Sequence, residues 1–123
     1  MKSLSVALLQ KDSGVARLLS AQLCHHFQEI HVVRSASELR DLIPRFRPDV
    51  VVVDIETASL SEIEQLHREF TSVCIVCTHR IADEEMWTAA MDAGAADICS
   101  ATDSQAILTA AMRSTSLVRS AAA

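Results

Sequence analysis

The segment DVVVVD, residues 49–54, sets four valines in unbroken succession. Successive strand side chains point to opposite faces, so a strand with one wet face alternates apolar and polar residues. An uninterrupted β-branched run must be covered on both faces. That is the condition of an inner strand in a parallel sheet flanked by helices. Parallel neighbours in turn require crossover connections of a dozen or more residues, usually helices.

The remainder of the chain supplies those pieces in alternation. Apolar runs predict strands at residues 4–9, 29–33, 49–54, 73–78 and 96–99. Between them lie helical patterns. The first covers 13–27, with Val15, Leu18, Leu19 and Leu23 at helical spacing. A second opens at SASE, with Ser35 and Glu38 as a capping box, and should end or kink near Pro44. Further helices are expected at 60–70, at 83–93 with Asp83 as N-cap and Gly94 as stop, and at 102–117 with Thr102 and Gln105 as another box. Five strands and five helices in strict order define a doubly wound α/β domain with helices on both faces of a parallel sheet. The whole chain, 1–123, reads as one domain, with 118–123 as a frayed tail.

Composition narrows the function classes. The net charge of −5 and a total of two lysines, Lys2 and Lys11, argue against direct contact with nucleic acid. No apolar stretch approaches about 18 residues, so no membrane span is expected. The N-terminal apolar run is too short for a signal peptide, which makes the expected location cytoplasmic. Aromatic residues are few (Phe27, Phe46, Phe70, Trp87), so the core must be aliphatic and alanine-rich. The two glycines, Gly14 and Gly94, exclude a glycine-rich phosphate cradle or dinucleotide fingerprint.

Cysteines 24, 74, 77 and 99 are expected as reduced thiols. CIVC has the spacing of a redox or zinc pair. Within a strand, however, residues three apart face opposite ways, so Cys74 and Cys77 are a poor pair. Cys24-His25-His26 closes the first helix, where histidine suits the terminal carbonyls better than a metal.

A doubly wound sheet binds its ligands at the carboxyl ends of its strands. The candidates there are Gln10, Lys11 and Asp12, then Asp54, then Thr78 and His79, then Ser100, Ala101 and Thr102.

At these positions the chain resembles the receiver domain of bacterial two-component response regulators, over about residues 4–117. RPDVVVVDIETASLSEIEQL is similar to that family's third strand and phosphoacceptor loop, VCIVCT to its fourth strand, and MDAGAADICS to the turn before its fifth. The resemblance implies a flavodoxin-like (βα)5 receiver fold, with Asp54 as phosphoacceptor and Thr78 as the hydroxyl that contacts the phosphoryl group. It also implies an acid pair for Mg²⁺ after the first strand, a lysine after the fifth, and an aromatic switch residue.

Here the acid pair falls on Gln10 and Lys11, the lysine near Ala101 and the aromatic residue on Ile98. Asp12, with Asp54, would hold a metal if one binds. Otherwise no cofactor is expected. An ammonium at Lys11 about 4 Å from Asp54 would gain on the order of 4 kcal/mol of Coulomb energy at an effective dielectric of about 20, before desolvation. Lys11 would then occupy the space of the metal.

The leading expectation is a degenerate, pseudo-receiver interaction module that is not an enzyme, with Mg²⁺-dependent phosphorylation of Asp54 impaired or absent. The alternative is a working receiver that accepts a phosphoryl group at Asp54 from a histidine kinase. A third reading is an enzyme or small-ligand binder built on His79, Thr78 and Asp54. Plainer roles stay open: Asp54 as a loop cap, Thr78 as a strand-end hydroxyl, Lys11 as a solvated lysine. The expected partner is a sensor kinase or output protein. A homodimer is expected through the face of helix four, strand five and helix five, where Met86, Trp87, Ala90 and Met91 lie; core packing of these residues is the other option.

Overall fold

The computed structural model describes residues 4–80 and 84–122, with backbone alone from 114 onward. Its elements alternate from β1 (Ser5–Leu9), α1 (Ser13–Leu23), β2 (Glu29–Val33), α2 (Ala36–Phe46) and β3 (Val50–Asp54) through α3 (Leu60–Glu69), β4 (Cys74–His79), α4 (Glu84–Asp92), β5 (Asp97–Ser100) and α5 (Ser104–Ala122). All strand pairings are parallel, in the order β2-β1-β3-β4-β5.

The valine run behaves as its composition demands. Val50 to Val53 are at most 1% exposed. Alternate residues enter two separate cores. Ala7, Leu9, Val51, Val53 and Cys77 join Leu39, Ile43, Ile63, Leu66 and Ala90 of α2, α3 and α4. Val6, Leu8, Val50, Val52, Cys74 and Val76 join Leu19, Leu23, Ile107 and Ala110 of α1 and α5. Cys74 and Cys77 therefore lie on opposite faces of the sheet and cannot form a shared site.

Helix ends follow local chemistry, with some departures from expectation. α1 stops at Leu23 rather than 27. Its buried face is Ala16, Leu19 and Leu23, and Leu18 is half exposed. His25 and His26 lie past its end and are exposed. The Ser35 hydroxyl accepts the Glu38 N–H as expected, whereas the fully reciprocal capping box is Ser59 with Glu62 at the start of α3. α2 runs two residues past Pro44. It ends at Arg47, whose φ of 49° is left-handed and whose N–H reaches the Ile43 carbonyl. Proline in the last turn removes one internal hydrogen bond without preventing the final residues from staying helical. Asp103, not Thr102, caps α5: its carboxylate accepts the Ala106 N–H, and Thr102 instead meets the Ser100 hydroxyl at 3.1 Å. The expected cap Asp83 lies outside the described residues.

Gly94 ends α4 as expected. Its φ is +113°, the Gly94 N–H reaches the Met91 carbonyl, and the Ala95 N–H reaches the Ala90 carbonyl. This is a Schellman closure, which favours glycine at the left-handed position.

Candidate functional site

The parity that fills the two cores also assembles the site. Thr78 and Asp54 are register partners, and Leu9, just before Gln10, pairs with Val53. Gln10, Asp54 and Thr78 therefore continue the alternation of Leu8, Val52 and Val76, which face α1 and α5. They meet at the carboxyl end of the sheet, beside a crevice of about 620 Å³.

Gln10 is 3% exposed and Thr78 fully buried. The Gln10 Nε2 amide donates to Thr78 Oγ1 at 2.8 Å. Because β3 separates β1 from β4, this bond spans the end of the inner strand that carries Asp54. The Thr78 carbonyl meanwhile accepts the Ile55 N–H at 3.1 Å, tying the loop after Asp54 to β4.

Asp54 is half-buried, and both its carboxylate oxygens are engaged by its own loop. Oδ1 accepts the Glu56 N–H at 3.1 Å, and Oδ2 accepts the Thr57 hydroxyl at 2.8 Å. The loop-cap role thus coexists with a place on the crevice wall.

Asp12 is likewise committed. Oδ1 accepts the Gly14 and Val15 N–H groups as N-cap of α1, and Oδ2 lies 3.6 Å from Arg80 Nη2. The Arg80 Nε is 3.7 Å from Glu56 Oε2. The cation that bridges acids across the crevice is therefore Arg80, just past β4. Lys11 lines the crevice, is exposed, and makes no ion pair with Asp54, so the expected Lys11–Asp54 contact is not formed. Arg80 was not among the sequence candidates; its place immediately after His79 at a strand end was the available signal.

His79 is half-buried on the same wall, and its Nδ1 is buried with no hydrogen-bond partner among the described residues. Ala101 is buried at the end of β5, Ile98 packs in the α2-side core, and Ser100 and Thr102 complete the rim.

Burial pushes the Cys77 thiol up to about 12, reinforced by Cys99. Burial likewise pushes Cys99 up to about 11, reinforced by Asp97 and Asp103. These are inert core thiols, since nucleophilic and ligating cysteines need a lowered pKa.

Mg²⁺ prefers a hard octahedral oxygen set with carboxylate ligands. The residues present do not fit it. Beside Asp54 the crevice offers the Gln10 amide and the Lys11 ammonium, which are poor Mg²⁺ ligands, and Asp12 is held by a helix terminus and a guanidinium. Among the described residues no three His, Cys, Asp or Glu side chains are grouped to hold a metal.

The fold is the five-stranded, flavodoxin-like receiver fold of response regulators, with its crevice at the strand ends. The chain superimposes on NtrX from Brucella abortus with a TM-score of 0.85 at 16% identity, covering 98% of this chain and 29% of that one. It is similar to a LuxR-family two-component response regulator from Aurantimonas sp. SI85-9A1 (TM-score 0.83, 14% identity, 94% and 86% covered). It also matches the BeF3-activated N-terminal receiver domain of RstA from Klebsiella pneumoniae (TM-score 0.77, 23% identity, 89% and 95% covered). At these identities the likeness is one of fold. No protein-family model and no curated protein sequence matches the chain. Among the described residues no helix is long and apolar enough to cross a membrane.

Proposed function

We propose that this domain is a receiver-like module of two-component signalling that works by protein–protein interaction, with Mg²⁺-dependent aspartyl phosphorylation impaired or absent. The observation that carries this reading is the buried Gln10 amide on the Thr78 hydroxyl. The hydroxyl that would turn toward a phosphoryl group is held by a side chain standing where a metal-binding acid would be. Arg80 supports the same reading, because it supplies positive charge between Asp12 and Glu56. In this pseudo-receiver reading the domain is not an enzyme, needs no cofactor and acts in the cytoplasm on a sensor kinase or an output protein.

The surface for such a partner, or for a second copy of the chain, is the α4–β5–α5 face. Met86 and Trp87 of α4 and Met112 of α5 are exposed large apolar residues, while Ala90 belongs to the core. Tryptophan and methionine are enriched at interfaces. A monomeric mass at high protein concentration would count against the homodimer.

The competing reading is a working phosphoacceptor, favoured by Asp54 lining the crevice at the end of β3. Incubation with Mg²⁺ and either acetyl phosphate or BeF₃⁻, followed by amide NMR spectra and intact mass, separates the two. The proposal expects unchanged spectra and no added phosphoryl mass. A phosphorylated species that disappears in Asp54→Asn would establish the competing reading.

A further inference from the structure

A second cavity, of about 230 Å³, lies on the α1 side of the sheet next to the β2 edge. Its lining is chemically unlike that of the crevice. Arg17 projects from α1 and Arg34 follows β2, and no carboxylate is present on its wall. Among the described residues neither arginine forms an ion pair, although the chain carries five more acidic than basic side chains. Ser13 and Ser20 also line the cavity, and the buried Ser20 hydroxyl has no hydrogen-bond partner among the described residues. Val32, 46% exposed, gives it one apolar side.

We infer that this cavity is a binding site for a compact phosphate-bearing anion. Two guanidinium groups offer planar donor forks that match the oxygens of a phosphate group. The Ser20 hydroxyl oxygen is enclosed behind this wall without a partner among the described residues, so a rotation or small opening is needed for it to reach a bound anion. A buried unpaired hydroxyl is costly unless something satisfies it. The cavity has no aromatic lining and is smaller than typical drug-sized pockets, so a stacked nucleobase is not accommodated. The chemistry selected is that of inorganic phosphate or a small phosphomonoester.

Gln10 lines this cavity and the crevice alike, and its amide holds Thr78. An anion seated between Arg17 and Arg34 therefore lies against the residue that restrains Thr78. The site stands whether or not Asp54 is phosphorylated.

The test is titration of the full chain with inorganic phosphate, and separately with methyl phosphate, at constant ionic strength, followed by NMR. Expected are saturable shifts at Arg17, Ser20 and Arg34 and at the Gln10 side-chain amide. Arg17→Gln and Arg34→Gln, both at exposed positions, should each weaken binding about tenfold, the loss of one charge-assisted contact. Saturation by both ligands identifies a phosphomonoester site, and saturation by phosphate alone identifies a free-phosphate site; either supports the inference. Linear, unsaturable shifts overturn it. So do shifts centred on Lys11 and Arg80, or undiminished affinity in both variants.

Discussion

Gln10 and Thr78 are 68 positions apart in the chain, yet the amide of one donates to the hydroxyl of the other at 2.8 Å inside the core. The bond ties the end of β1 to the end of β4 across β3, so it couples three strands at the rim of the crevice. Both residues are buried, so neither can exchange its partner for water without local opening.

Removing one side of that pair leaves the other unsatisfied. Gln10→Leu should cost about 1 to 3 kcal/mol in denaturant unfolding. The Gln10→Leu and Thr78→Val double variant should recover part of that loss, with a coupling energy of at least about 0.5 kcal/mol. Strictly additive single effects would mean that the hydrogen bond contributes nothing to stability.

On the pseudo-receiver reading, placing acids at positions 10 and 11 should create Mg²⁺ affinity. The combined variant Gln10→Asp, Lys11→Asp and Arg80→Ala brings two carboxylates beside Asp54 and removes both cations from the crevice wall. Calorimetry should show saturable Mg²⁺ binding in that variant and none in the parent chain. Equal Mg²⁺ binding in both would mean that Asp12 and Asp54 suffice.

Alkaline pH should destabilise the fold through Cys77. Its folded pKa is raised to about 12, above the value of about 8.5 to 9 for a free thiol. The unfolded chain therefore loses this proton first, and stability present below about pH 9 falls as pH rises toward 12. The slope from one such group is at most about 1.4 kcal/mol per pH unit. Chemical denaturation between pH 8 and 11 should give a shallower decline in Cys77→Ala than in the parent chain.

Gly94→Ala should be among the most damaging single substitutions. A Cβ there would overlap the His67 ring and lie 2.8 Å from His67 Cβ, and the φ of +113° is strained for any side chain. A loss above about 2 kcal/mol is expected. Pairing it with His67→Ala removes only the overlap with the ring; the 2.8 Å approach to His67 Cβ and the backbone strain persist, so the rescue should be partial.

Most of the architecture was legible because it is written in short-range periodicity. The valine run, the alternation around CIVC and the glycine stop at 94 depend only on which face each residue takes within its own segment. Boundaries slipped where neighbouring caps compete, as Asp103 does with Thr102 at the start of α5. Leu18 shares the helical spacing of Leu19 and Leu23, but the buried stripe of α1 is Ala16, Leu19 and Leu23, which leaves Leu18 half exposed.

The sequence by itself determined the sheet type, the two-sided core and the four strand ends that carry polar residues, Gln10 and Lys11 among them. Only the tertiary structure decided how those ends are wired. Lys11 stays solvated, Arg80 bridges Asp12 and Glu56, and Gln10 turns inward to Thr78. Periodicity specifies the face a side chain takes, whereas its partner depends on strand order. The order β2-β1-β3-β4-β5 brings together residues from β1 and β4 that no local pattern relates.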